Sequence, residues 1–278
     1  MSPSPTSRAG LGLAIGLCPD AVGIVRLGGW RHARVDGHEL VAVGEPGTDG
    51  LAALAALENW LQQNRPAASG LRPWFSAPAH VVLSDRLVRY ARVPWSGGAL
   101  SRQEEDELSV ACFEERYGDM SGWTLRNDVS RYGQGRLATA VPSALMDGLR
   151  RVLKAHRLDC RAVSPYFVVC WNLWRRDVAR ANGKAAAMFA VADAGTAVVG
   201  VVDATGWRSL RSLRMGTEDL LPTLARETVL NGLSEPPATW VHCPQPGEFG
   251  TPSGNFKILS TPNSLPAPVA MAMSGIGR

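Results

Sequence analysis

Few residues in this chain combine the types and spacing that chemistry requires. The best candidate is Asp193-Ala194-Gly195-Thr196, which places an acid, a glycine and a hydroxyl at a tight turn between two apolar runs. Such a turn can hold phosphate, the aspartate positioning a metal ion or a water. The same aspartate and glycine also build an ordinary β-turn. His242 beside Cys243 is the one His/Cys neighbour pair, and without two further ligands at zinc spacing no metal is expected there. His156 shares an apolar helical face with Leu145, Leu149, Val152 and Leu153 and reads as a residue at the edge of the core. The sequence holds no G-x-S-x-G elbow, no Walker loop and no H-E-x-x-H. No catalytic residue is expected.

Composition narrows the class further. Of 278 residues, 45% are hydrophobic and 19% charged, which allows one sizeable core or two lobes. The apolar run Leu11–Cys18 follows Arg8 in the manner of a signal segment, but Pro19-Asp20 and a second run, Ala21–Val25, make it read as a β-hairpin. Cys18, Cys112, Cys160, Cys170 and Cys243 lack C-x-x-C spacing and are odd in number, as expected of reduced core thiols in a cytoplasmic protein. The net charge of +4 comes without a lysine-rich run, since Lys154, Lys184 and Lys257 are the only lysines. Arg208, Arg211 and Arg214 read as a solvated strand face, and no nucleic-acid partner is expected.

The elements that must position these residues follow from periodicity. Residues 1–10 are Ser/Pro-rich and read as a disordered tail. Three strands are expected at Leu11–Cys18, Ala21–Leu27 and about Glu39–Val43, the last pair turning at Asp36-Gly37. A helix with Leu54, Leu57 and Leu61 on one face follows, then a strand at His80–Leu83. Leu87–Val93 alternates apolar and basic residues, as a strand with two unlike faces does. Ser101-Arg102-Gln103-Glu104 is a capping box that opens a helix to about Tyr117. Strands at Trp123–Val129 and Arg136–Val141 come next, and Pro142 starts a helix. After Cys160–Val163, Ser164-Pro165 is expected to cap a helix whose Tyr166, Phe167, Trp171 and Trp174 read as core. Beyond Gly183 the plan of three strands returns at Ala186–Ala192, Ala197–Val202 and Trp207–Met215, followed by a helix at Thr217–Leu230. Strands near Thr239–Cys243 and Phe256–Ser260 and a short helix at Ala267–Met273 complete the chain.

Three antiparallel strands followed by a helix thus occur twice, and duplication of a βββαβα unit defines the actin-like α/β fold, which is ribonuclease H-like. The middle of the chain adds a strand-like Val81–Tyr90 ending in Val93-Pro94-Trp95, then the acidic capped helix, then the strand with Trp123. In that order the segments resemble the PilM and GspL families, actin-like cytoplasmic proteins of type IV pilus and type II secretion inner-membrane platforms. The resemblance implies a first lobe at 11–182, carrying an insertion of the subdomain 1C kind at about 86–133, and a second lobe at 183–278. Only some 25 residues separate the second hairpin from the next strand, so subdomain 2B is expected to be reduced or absent.

The resemblance also says what has been lost. Gly12-Leu13-Ala14-Ile15-Gly16-Leu17 falls on the family pattern G-x-D-x-G-[ST] with Ala14 in place of the acid and Leu17 in place of the hydroxyl. Gly16, Asp193, Gly195 and Thr196 would then be vestigial phosphate turns, and Ser274-Gly275-Ile276-Gly277 a truncated echo of the adenosine glycines. The expectation is a pseudo-ATPase, no enzyme, with no ATP, magnesium or other cofactor. It would be a scaffold binding the cytoplasmic tails of inner-membrane platform proteins or an assembly ATPase, cytoplasmic and peripheral to the inner membrane through its partners. Arg89, Arg92, Trp95, Glu104, Glu105 and Phe113 are the candidate partner contacts. The alternatives are a divergent ATP-binding phosphotransferase of the actin and sugar-kinase superfamily, with Asp193 and Thr196 holding phosphate, and a regulatory or oligomerising module with no membrane link.

Overall fold

A computed structural model describes residues 12–28, 34–64, 76–98, 100–128, 133–214, 220–243, 256–259 and 265–276. The expected tail at 1–10 lies outside them, as do Thr217 and Gly277. In chain order the elements are β1 (Gly12–Leu17), β2 (Ala21–Gly28), β3 (Arg34–Ala42), α1 (Leu51–Gln63), β4 (Ala77–Leu83) and β5 (Arg89–Val93). They continue with α2 (Arg102–Tyr117), β6 (Trp123–Asn127), β7 (Arg136–Pro142), α3 (Ser143–Ala155), β8 (Leu158–Pro165) and α4 (Tyr166–Asn182). Last come β9 (Ala187–Asp193), β10 (Thr196–Asp203), β11 (Gly206–Arg214), α5 (Leu220–Leu230), β12 (Ala238–His242), β13 (Phe256–Leu259) and α6 (Ala267–Ser274).

The chain divides into two compact units: residues 1–83, 147–164 and 265–278 in one, 84–146 and 165–264 in the other. These units are not the sequential lobes 11–182 and 183–278. The C-terminal helix belongs with the first hairpin, and α4 belongs with β9 and β12.

The first unit holds a sheet of order β3-β2-β1-β4-β8, with β1 antiparallel to β2 and parallel to β4. The period-2 alternation of a strand sends Ala14 and Gly16, with their cross-strand partners Val25 and Gly23, to one face. On that face Ala14, Val25 and Leu27 pack against Val269 and Ala272 of α6. A Cβ at Gly16 or at Gly23 would fall on the backbone of Pro268, so the helix lies directly on the paired glycines. The opposite face meets α1, where Arg26 pairs with Glu39 and stacks over Trp60, whose indole donates to Glu39 at 2.6 Å. Residues expected to turn at Asp36-Gly37 instead lie within β3, where an irregularity in pairing near Leu27 absorbs one residue.

The second unit repeats the plan. Its sheet runs β11-β10-β9-β12-β13, with β9 antiparallel to β10 and parallel to β12, the same order and sense as β3-β2-β1-β4 in the first unit. This is the expected duplication, and the fold is actin-like α/β. The helix α4 starts at Pro165 without a side-chain cap, so Ser164 does not cap it. Its aromatic stripe is core: Phe167 meets Tyr90, Phe189 and Trp207, and Trp171 meets Phe189 and Trp207. Gly200 on β10 is a glycine because the Trp207 ring covers it.

The same unit carries a small sheet of order β5-β7-β6. The central strand is β7, so this piece reaches past residue 133, where the insertion was expected to end. Its core is Ala91, Val93, Phe113, Met120, Ala138 and Ala140, closed on one side by α2. The capping box of α2 forms as read, Ser101 Oγ accepting from the Glu104 amide and Glu104 accepting from the Ser101 amide.

Candidate functional site

The D-x-G-T segment becomes a two-residue hairpin turn between β9 and β10, with Asp193 paired to Thr196 across it. Both central residues have positive φ, 42° at Ala194 and 76° at Gly195, the primed geometry that fits the twist of a hairpin. Glycine reaches that region freely, whereas alanine is strained there by roughly 1–2 kcal/mol. Asp193 itself is only 2% exposed, and its Oδ2 accepts a 2.6 Å hydrogen bond from Ser84 Oγ. A carboxylate sunk in the protein and facing an internal hydroxyl is a structural anchor for its turn.

The first hairpin is packed more completely. Ala14 is 1% exposed in an apolar cluster and Gly16 lies beneath α6. Leu17 is fully buried as well. An acid at position 14 would have to discard its hydration among Val25, Leu27, Val269 and Ala272, a cost that an unpaired charge does not recover.

Sequence reading misses a cluster of buried polar groups in the second unit. Between β4 and β5 the chain makes a single 3-10 turn, Asp85–Leu87, where a continuous strand was expected. Ser84 caps the turn and Asp85 points inward. Asp85 Oδ1 accepts from the Tyr90 hydroxyl and, at 3.1 Å, from the amide of Phe167 at the start of α4. Its Oδ2 is buried without a hydrogen-bond partner. Burial raises the Asp85 pKa from 3.8 to about 7, against the two hydrogen bonds that lower it, and the charge of Asp193 raises it a little more. Burial also pushes the Tyr90 and Cys170 groups well above their ordinary values, so both stay protonated. Nearby, Tyr166 Oη lies 2.8 Å from His242 Nε2, and burial lowers the His242 pKa to about 4. His242 is therefore a neutral interior ring. The signal that was available is the dipeptide Ser84-Asp85 itself, two polar residues directly after the apolar strand end Val81-Val82-Leu83.

A carboxyl titrating near neutrality suits general acid–base work. Here it is 2% exposed, closed in by Tyr90 and the start of α4, and it joins β5 to α4 while the adjacent Ser84 ties to β9. The arrangement supports a latch between elements better than it supports turnover.

The partner-contact candidates are largely engaged in holding this unit together. Phe113 is fully buried in the core of the small sheet, so it presents no surface. Arg89 lies over the rings of Trp123 and Tyr117, its centre 3.9 and 5.0 Å from theirs. Arg92 donates at 2.6 Å to the Trp207 carbonyl, and Trp95 is half-buried. Glu104 completes the capping box, which lowers its pKa through the Ser101 hydrogen bonds. Glu105 pairs with Arg136 at 2.8 Å, and that hydrogen bond lowers its pKa. The β11 arginines are likewise partly paired, Arg208 with Asp203 at 3.8 Å and Arg211 with the buried Glu227 at 3.6 Å.

No protein-family model matches the chain, and no curated protein matches its sequence. Solved structures do match its fold. A PilM-PilN type IV pilus biogenesis complex aligns over 96% of this chain and 98% of its own with a TM-score of 0.60 and 12% identity. The cytoplasmic domain of EpsL, an inner-membrane component of the Vibrio cholerae type II secretion system, aligns over 94% and 93% with a TM-score of 0.55 and 13% identity. A Bacteroides thetaiotaomicron protein with an actin-like ATPase fold and unknown function aligns over 87% and 85% with a TM-score of 0.55 and 10% identity. At such identities the shared property is the fold, and the neighbours include the two families whose segment order the sequence resembles.

Proposed function

We propose that this chain is a non-catalytic protein-binding scaffold of a type IV pilus or type II secretion-like inner-membrane platform. In this reading it has no nucleotide or magnesium cofactor, and it is held at the cytoplasmic side of the inner membrane through its partners. Fold neighbours drawn from a pilus biogenesis complex and from a secretion-system inner-membrane component support the setting. The observation that carries the non-catalytic part is the fate of the two hairpins. Ala14 and Gly16 are packed under α6, and Asp193 is buried against Ser84. Chemistry at phosphate requires exposed, preorganised charge, and both turns have exchanged it for packing. Among the described residues no helix is long and apolar enough to cross a membrane.

The test has two arms. Pull-down with the cytoplasmic tails of the platform's inner-membrane proteins and with its assembly ATPase should capture at least one of them; capture of none overturns the scaffold. Calorimetry with Mg-ATP should give no saturable heat. Micromolar binding abolished by Asp193→Ala would replace this reading with the phosphotransferase one.

A further inference from the structure

We infer that the outer flank of α2 is a docking groove for a basic amphipathic helix, an inference that rests on the scaffold reading above. Along this flank lies a shallow groove of about 640 Å³ whose lining includes Arg102, Asp106, Glu107, Val110, Ala111 and Glu114. Most of the surface it presents is apolar, and Val110 and Ala111 are its apolar residues. Neither is needed by the core beneath, which α2 reaches with Phe113 and with Leu108, Cys112 and Tyr117. The outward flank of the helix thus presents two small apolar residues, with the aliphatic stems of the charged and polar side chains around them.

Charge selects the occupant. Six acids and two bases fall within the sixteen residues of α2, although the whole chain carries +4. Several of these charges are already engaged: Glu104 in the cap, Glu105 with Arg136, and Arg116 with the carbonyls of Tyr90 and Leu210. Asp106, Glu107 and Glu114 remain at the groove, Glu107 accepting a hydrogen bond from its neighbour Gln103. Three carboxylates against one guanidinium, that of Arg102, leave the groove net negative, so the phosphates of nucleic acid and anionic lipid do not fit it. A helix with an apolar stripe and lysines or arginines one turn apart does fit, since a helix packs its ridges along a helix groove and its cations reach the acids beside it. At about 1.5 Å per residue, α2 offers roughly 24 Å of contact, enough to seat about four turns of a partner helix.

The probe is a labelled peptide of about eighteen residues, leucine on one helical face and lysine on the other, titrated with the full chain and read by fluorescence anisotropy. Saturable binding is expected, weakened tenfold or more by Glu107→Lys with Glu114→Lys and by Val110→Asp, and weakened again as salt rises from about 50 to about 300 mM. Glu115→Lys, on the same helix but outside the groove lining, should leave it unchanged, and circular dichroism should show all variants folded. Equal binding of a leucine/glutamate peptide, or undiminished binding by the charge-reversed variant, overturns the groove. Platform tails are tested in parallel. Tails captured equally by wild type and the charge-reversed variant overturn the groove and leave the scaffold standing. Peptide binding as expected with no tail captured supports the groove and overturns the scaffold.

Discussion

Replacing Asp85 by asparagine preserves the shape of the buried group and removes its proton equilibrium. The carboxyl titrates at about 7 in the folded protein against 3.8 when exposed, because burial disfavours its charge. A raised carboxyl pKa means that the folded state holds the proton more tightly than the unfolded one. Its contribution to stability is then greatest below about pH 4, declines as pH rises toward 7, and is level above that. Three pH units at about 1.4 kcal/mol each set a ceiling near 4 kcal/mol, and relaxation around the site brings the expected loss to about 2–4 kcal/mol. The amide introduced by Asp85→Asn would keep an oxygen for the Tyr90 hydroxyl and the Phe167 amide, and would place a nitrogen where Oδ2 has no partner. That nitrogen costs about 1–3 kcal/mol at every pH, so the diagnostic quantity is the slope and not the offset. Urea unfolding at intervals from about pH 4 to about pH 8 should show the stability difference between variant and wild type shifting in favour of the variant by about 2–4 kcal/mol. His242 works in the opposite sense, since its folded pKa of about 4 lies below 6.5 and its contribution is lost as pH falls through that interval. It is common to both proteins and cancels in the difference. Parallel pH profiles for the two would refute the assignment of a neutral-range titration to Asp85.

The remaining expectations concern the hairpins and the small sheet. Ala14→Asp should lower stability by about 3–5 kcal/mol, since it buries an unpaired carboxylate, and should create no Mg-ATP binding in calorimetry. Gly16→Ala should undock α6, because the added methyl meets the Pro268 carbonyl, and hydrogen exchange at 267–274 should accelerate more than elsewhere. Ala194→Gly should raise the melting temperature through relief of about 1 kcal/mol at φ 42°. Phe113→Ala should cost about 3–5 kcal/mol and register as a folding defect in thermal melts before any loss of partner binding.

Much of the fold can be read from the chain because its strands obey local rules. The runs at 12–17 and 21–28 are apolar on both faces apart from Arg26, a central pair buried between helices, and the Ser101 box defines the start of α2 without ambiguity. The duplicated order is visible since each half repeats three strands, a helix and a strand. What escapes is non-local. Val81–Tyr90 looks like one strand because the residue pattern cannot show that Asp85 turns inward to meet a helix amide some eighty residues away. Phe113 and Arg89 look like surface because helix and strand periodicity does not reveal which neighbour covers a face. Gly16 misleads for the same reason: a glycine near a turn fits phosphate equally well until the helix that lies on it is known to be α6.

The two hairpins are packed in different ways, and the difference bears on whether phosphate chemistry could be built into them. In the second unit Asp193 survives with its turn geometry, and a hydrogen bond from Ser84 holds it inward. In the first unit the loss is built into packing, because Ala14, Gly16, Gly23 and Val25 form a smooth face on which α6 rests. Placing an acid there would disturb the helix, and disturbing the helix would expose Val269 and Ala272, so the two changes are coupled. On the proposed non-catalytic reading, the first hairpin is therefore the harder of the two to convert into a phosphate site. A double variant, Ala14→Asp with Ser84→Ala, should be no better at binding Mg-ATP than either single change and should be the least stable of the three, as judged by calorimetry and thermal unfolding together.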